Sequence, residues 1–177
     1  MKSEETEKNP LKIVWIARKN LLPKSIWKVF ISVILLIWIL DNFVPDSIVR
    51  INYSAVSLDK FIVLSVSALA FILSMFTFCR ETYSMNDFSD FFVTRPKVYY
   101  EYLADYLFPS FLWFSILIMS VIRLIIILTL PDTIIHNLKL FYLSVVFLAL
   151  ITTMTVIIRN MNRFTNKVVM QGKRDET

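Results

Sequence analysis

The chain has 177 residues, of which 56% are hydrophobic and 15% aromatic, with one glycine and a formal net charge of +5. This composition excludes an ordinary soluble domain and an intrinsically disordered chain, because both carry fewer apolar residues. The apolar residues come in long blocks, which predict membrane helices; a barrel would show short alternating segments.

The N-terminal region precedes the first long apolar block. Residues 1–10 (MKSEETEKNP) are polar and are predicted to be disordered. In residues 11–22 the apolar side chains recur with helical spacing, and Pro23 ends the pattern. Ile13, Val14, Ala17 and Leu21 lie on one apolar face of this predicted helix. We expect an interfacial helix on the inner leaflet, with lipid contacts from Lys12, Trp15, Lys19 and Trp27. Docking of the apolar face on a partner helix is the alternative.

Four blocks are candidates for spanning a bilayer, which takes about 20 apolar residues in a helix. The predicted spans are about 26–44, 61–79, 108–130 and 140–158. The first block follows a basic N-terminus, as a signal peptide does, but the sequence after Leu40 is DNFVPDS and offers no small-residue cleavage site. The fold class is therefore all-α, an integral membrane protein with a single four-helix domain over residues 11–158.

The basic residues predict the orientation. Residues 1–28 carry seven Lys and Arg, the 80–107 connection three and residues 159–177 five, whereas the opposite side carries three. By the positive-inside rule both termini are predicted to be cytosolic. The net positive charge then favours anionic inner-leaflet lipid, and no direct nucleic acid binding is expected.

Two sets of small residues are candidates for close helix packing. Span 2 has a small-residue stripe and span 4 a small-xxx-small pair, which together comprise Ser67, Ala70, Ser74, Ala149 and Thr153. The alternative interpretation is a polar pore lining. The single cysteine, Cys79, cannot form an internal disulfide and is expected to be a packing residue.

The connection 80–107 is the largest predicted cytosolic feature and is rich in aromatic and acidic residues. Pro96 is suited to the first turn of a helix, and Pro109 marks the join to span 3. An amphipathic interfacial segment is one interpretation, and a docking surface for a cytosolic protein is the other. The candidate docking residues are Tyr83, Phe88, Phe91, Phe92, Tyr99, Glu101, Tyr102, Asp105 and Tyr106. The basic tail 159–177 is expected to extend span 4 by a turn or two before becoming disordered.

Arg123 is a full charge inside span 3, and an intramembrane arginine is costly without a partner. It lies nearer the outer end of its span, at about the depth of Asp41 in span 1. We therefore predict an Asp41–Arg123 pair within or between subunits. The functional alternative is an anion-attracting ring in an oligomer.

Patterns typical of catalysis are scarce. His136 is the only histidine, and the spans place no histidine or lysine beside a serine or threonine nucleophile. One glycine cannot build a P-loop or a dinucleotide fingerprint. We expect no catalytic site, no metal site and no cofactor.

The predicted function is that of a non-enzymatic membrane subunit, a homo-oligomer that anchors or signals to a cytosolic protein partner. The alternatives are a pore-forming or depolarising effector and a small four-span transporter. In span number, cytosolic termini and chain size, the layout resembles the four-span membrane subunits of prokaryotic antiviral systems, such as the KwaA proteins of the Kiwa system. The resemblance implies an oligomeric inner-membrane sensor that holds a cytosolic partner acting on phage DNA.

Overall fold

The computed structural model describes residues 7–45, 48, 58–126 and 131–175, and all regular secondary structure in this part of the chain is helical. Its helices are α1 (Pro10–Ala17), α2 (Lys24–Phe43), α3 (Leu58–Thr82), α4 (Met85–Thr94), α5 (Pro96–Ile125) and α6 (Asp132–Asp175). Four of them, α2, α3, α5 and α6, are long and apolar enough to cross a membrane. The all-helical class and the number of candidate spans are confirmed.

Helix α1 is shorter than the sequence predicts. Asn9 caps its N-terminus by accepting a hydrogen bond from the Leu11 backbone N–H at 3.0 Å, and the helix ends at Ala17. Its apolar face is buried against α5: Ile13, Ala17, Leu21 and Ala104 form a core on which Val14, Tyr100, Leu103, Leu107 and Phe108 pack. The face expected to lie on lipid is therefore covered by the chain itself, because α5 supplies a matching apolar surface.

The predicted connection 80–107 is almost wholly helical. Helix α3 extends to Thr82, and α4 starts with a capping box in which Ser84 and Asp87 each bond the other's backbone N–H, at 3.2 and 2.8 Å. Helix α5 begins at Pro96, as predicted, and continues through Pro109 without a break. The approach helix and the third candidate span are thus one helix.

Helix α6 has 44 residues and continues to Asp175, well beyond the turn or two expected after span 4. Its polar residues Asn160, Arg163 and Lys167 are spaced as one helical face, and each contacts another part of the chain. These contacts explain why a segment with the composition of a basic tail is an ordered helix.

The described chain divides into two compact units. The terminal unit consists of Met1–Leu21, Phe71–Ser110 and Thr152–Thr177; the central unit consists of Leu22–Ala70 and Phe111–Ile151. The central unit buries Trp113, Ile116, Ser120, Tyr142, Val146 and Ala149. The terminal unit buries the α1–α5 core and a set of polar side chains described below.

Several predictions fall partly on residues outside the described part. These are the disorder of residues 1–6, most of the loop 46–57, the last residues of predicted span 3 (127–130) and the final residues 176–177. Residues 7–9 are described, and there the Glu7 backbone N–H donates to the Tyr100 hydroxyl at 3.0 Å.

Candidate functional site

The terminal unit contains a buried carboxylate shared by two arginines. Asp105 of α5 is 5% exposed and accepts hydrogen bonds from Arg159 and Arg163, which lie one turn apart on α6. Arg159 also donates to the Asn20 backbone carbonyl at 2.7 Å. A buried carboxylate needs such partners, because isolated burial of a charge is strongly unfavourable. This Asp105 cluster holds α5, α6 and the segment after α1 together.

A second buried polar contact adjoins the Asp105 cluster. The Tyr106 hydroxyl donates to Asn160 Oδ1 at 2.5 Å, and the two residues are 4% exposed each. Because Tyr106 follows Asp105 on α5 and Asn160 follows Arg159 on α6, the two contacts fix the same pair of helices.

Aromatic rings pack around Tyr102, one helical turn before Tyr106. Ring centroids lie 5.1 Å away for Phe88, 5.5 Å for Tyr106 and 6.4 Å for both Phe76 and Tyr83. The Arg163 guanidinium lies 4.9 Å from the Tyr102 ring centroid, a cation–π distance. Burial raises the pKa of the Tyr83 phenol above its ordinary value.

Helix α4 is attached to α6 through its capping residue. Lys167 Nζ lies 3.3 Å from Asp87 Oδ2 and 5.0 Å from the Tyr83 ring centroid. The backbone N–H of Ser84, followed by its hydroxyl and Lys167, lowers the pKa of Asp87 below its ordinary value. The capping box thus serves both to start α4 and to bind α6.

These elements enclose a cavity of about 140 Å³, which we call the aromatic pocket. Its walls are Tyr83, Phe88, Phe91, Val98, Tyr99, Glu101, Tyr102 and Arg163. Arg163 is the one cationic side chain among these wall residues. The pocket therefore combines aromatic surface with a guanidinium group in its wall.

The structure divides the predicted docking residues into two groups. Tyr102, Asp105 and Tyr106 are buried in the terminal unit and hold it together. Tyr83, Phe88, Phe91, Phe92, Tyr99 and Glu101 are partly exposed. Direct contact with a partner is therefore not available to the three buried side chains in this conformation, although docking through the unit remains a prediction.

The central unit pairs Asp41 with a residue that the sequence did not single out as its partner. The Asp41 carboxylate, whose side chain is 7% exposed, contacts His136 Nε2 near the start of α6. Arg123, the predicted partner, has an exposed side chain near the end of α5. The Asp41–Arg123 pair stays a prediction. The central unit also joins Ser120 to the Tyr142 hydroxyl at 2.8 Å.

The predicted packing residues differ in burial. Ser67, Ala70 and Ser74 are exposed, whereas the buried face of α3 carries Ser65, Ile72 and Cys79 at seven-residue intervals. In α6, Ala149 is fully buried and Thr153 is partly buried. The stripe on α3 thus faces outward from this chain, and its role in packing stays a prediction.

The predicted lipid contacts have mixed environments. Trp15 is 65% exposed, and the Arg18 guanidinium lies 4.3 Å from its ring centroid. Lys12 forms an exposed ion pair with Glu7, Lys19 is exposed, and Trp27 packs edge-on against Phe30. Lipid contact by these residues stays a prediction.

Sequence reasoning missed the α6 half of the site. By composition Arg159 and Arg163 belong to a basic tail, although their spacing of four residues places them on one helical face. That spacing, together with Asn160 and Lys167, is the signal that could have indicated a long, contacting helix. In the described part of the chain, no group of three or more His, Cys, Asp or Glu side chains could hold a metal ion.

Comparisons with known proteins place no constraint on this site. No family model matches the chain, and no curated protein or solved structure matches it. The resemblance to antiviral membrane subunits stays a prediction based on layout.

Proposed function

We propose that the chain is a non-enzymatic, multi-pass subunit of the bacterial inner membrane whose terminal unit holds a cytosolic protein. Four helices able to cross a membrane support the membrane location. Fifteen basic residues belong to residues 1–28, 80–107 and 159–177, and three to the predicted opposite side, which supports cytosolic termini.

The docking proposal rests on the side-chain contacts that fix the helices of the terminal unit. Anchoring alone needs only apolar helices, yet α5 and α6 are joined by the Asp105 cluster and by Tyr106–Asn160, and α4 is tied to α6 through Asp87. Side chains committed to such contacts keep a surface in a fixed geometry. A preorganised surface loses less conformational entropy on binding, which favours recognition of a partner.

The outer face of α4 is the proposed contact surface. Phe88 and Phe91 turn inward to the aromatic pocket, whereas Met85 and Val93 are 72% and 67% exposed. Met85, Ser89 and Val93 follow each other at four-residue spacing and so share one face, beside exposed Asp90. A partner with a shallow apolar groove and a basic rim matches this helix.

Site-specific photo-crosslinking in native membranes tests the proposal. A crosslinker at Val93 should capture one cytosolic protein of defined mass, and Val93→Glu should abolish co-purification of that protein. The matched control is Val169→Glu, since Val169 is a similarly exposed valine on α6. The docking proposal is wrong if purified chain alone makes liposomes conductive and Val93→Glu leaves that conductance unchanged; that result favours the pore.

The resemblance in layout supports a role in antiviral defence. Under this proposal, Val93→Glu should lower phage protection in cells carrying the complete gene neighbourhood, and Val169→Glu should not. Equal phage protection by both variants would mean that defence does not require the outer face of α4.

Association of several copies is also proposed, together with binding of anionic lipid. Support for association comes from α2, in which no residue is buried within the chain. Support for lipid binding comes from exposed Trp15 and Lys12 beside the basic residues of the N-terminal segment.

A further inference from the structure

The aromatic pocket belongs wholly to the terminal unit and is distinct from the outer face of α4. We propose that it binds a small molecule consisting of one aromatic ring with a carboxylate. The proposal rests on the size of the pocket, the chemistry of its walls and the charge at its inner end.

The size of the pocket admits one ring. A cavity of about 150 Å³ in another protein accommodates benzene, and the aromatic pocket has a comparable volume of about 140 Å³. The ligand is therefore of benzene size, with a small substituent.

The walls favour an aromatic ring over an aliphatic one. Five of the wall residues are aromatic: Tyr83, Phe88, Phe91, Tyr99 and Tyr102. Aromatic pairs in offset or edge-on geometry gain about 0.5–1.5 kcal/mol beyond their buried area. Several of these rings already pack edge-on against each other, so an inserted ring would extend the same packing.

The charge favours a carboxylate. Asp105 carries one negative charge and is paired with two arginines, which leaves this buried cluster with a net charge of +1. Arg163, one of these two arginines, also lines the pocket, so part of the excess positive charge lies in the pocket wall. A ligand carboxylate beside Arg163 would balance that charge.

A cationic ligand, which aromatic walls can also bind, fits less well. The Arg163 guanidinium and the Lys167 ammonium already lie over the Tyr102 and Tyr83 rings, at 4.9 and 5.0 Å from the centroids. The one carboxylate in the wall, Glu101, accepts from Asn20 Nδ2 at 2.7 Å and lies 3.7 Å from Lys97 Nζ. A cation would therefore meet two positive charges and an engaged carboxylate.

The test is ligand-observed fluorine NMR on the full chain in detergent micelles, with 4-fluorobenzoate as the probe. Val98→Phe fills the pocket from its wall without removing a charge, and Val169→Phe adds the same ring at an exposed position of α6 that is not part of the wall. Wild type and Val169→Phe should broaden the probe resonance equally, and Val98→Phe should weaken binding at least about tenfold. Equal binding by the two variants would overturn the proposal, because it would locate the probe elsewhere or in the micelle.

A competition series on the wild-type chain keeps the proposal testable if Val98→Phe does not fold. Benzoate should displace the probe, whereas benzyl alcohol and benzyltrimethylammonium should each be weaker by about tenfold or more, since neither supplies a charged acceptor. Cyclohexanecarboxylate should also be weaker, because it lacks the ring face. Displacement by benzyltrimethylammonium as strong as by benzoate would overturn the charge argument.

Discussion

The terminal and central units hold their helices together through different contacts. The terminal unit links α4, α5 and α6 through long-range side-chain bonds that involve Asp87, Asp105, Tyr106 and four α6 residues. In the central unit no residue of α2 is classed as buried, and its Asp41 carboxylate contacts His136. The terminal unit should therefore respond strongly to single substitutions, and α2 should respond mainly to what surrounds the chain.

Removing the shared carboxylate should produce the largest effect. Asp105→Ala leaves two guanidinium groups facing each other, and breaking a buried ion pair costs about 3–5 kcal/mol. The arginine side chains are 27% and 25% exposed, so we expect the lower end of that range. Thermal unfolding in detergent measures the loss. Asp90→Ala, an exposed acid on α4, is the control, and a loss of similar size there would contradict the special role of Asp105.

Overpacking the α1–α5 core should come next. Ala104 is fully buried among Ile13, Ala17 and Leu21, so Ala104→Leu should cost about 1–3 kcal/mol. The added atoms should also displace α1, which faster proteolysis before Asn20 would reveal. Ala70→Leu adds the same volume at an exposed position and should change neither readout. Unchanged proteolysis in Ala104→Leu would mean that α1 is held elsewhere.

The capping box of α4 should give a smaller effect with a defined pH dependence. Ser84→Ala removes the cap and should cost about 1 kcal/mol. Because the folded-state pKa of Asp87 is lowered, its contribution is present above the unfolded pKa of about 4 and is lost as pH falls through the folded pKa. Stability of the wild type and of Asp87→Ala should therefore differ near neutral pH and converge in acid. The loss in Ser84→Ala should change less with pH, because the bond from the backbone N–H of residue 84 to Asp87 survives that substitution. Parallel stability curves for the wild type and Asp87→Ala down to strongly acidic pH would contradict this account.

The comparison also explains which features the sequence could predict. The long apolar blocks of the sequence predict the four candidate spans, and Pro96 predicts the start of α5. Both features depend on the residues of one short segment. The pairing of Asp105 with Arg159 and Arg163 depends on contacts 54 and 58 residues apart. Locally, Asp105 is indistinguishable from an exposed acid of an amphipathic helix, and the two arginines from residues of a basic tail.

The continuity of the helices is the other feature that local sequence patterns do not predict. Pro109 was expected to mark a join, since proline lacks an N–H and disfavours helix interiors. Helix α5 nevertheless runs through it, and Pro109 is fully buried. Packing on all sides compensates for the lost hydrogen bond. In α3 the small-residue stripe is a prediction from residue size alone. The residues that are buried on this helix are Ser65, Ile72 and Cys79.

The smallest effect on the stability of a single chain, and the sharpest test of the central unit, comes from α2. Leu35 and Leu36 are adjacent on α2 and similarly exposed, at 51% and 58%, so alanine at either position should change the free energy of unfolding by no more than about 0.5 kcal/mol. Leu35, unlike Leu36, lines a groove of about 530 Å³ whose walls come from α2 and α6. If a second copy inserts a side chain there, Leu35→Ala should lower the mass of the detergent-extracted particle, measured by light scattering, while Leu36→Ala should leave it unchanged. Equal masses for wild type and both variants would leave lipid as the cover of α2, because a groove filled by acyl chains does not depend on one leucine.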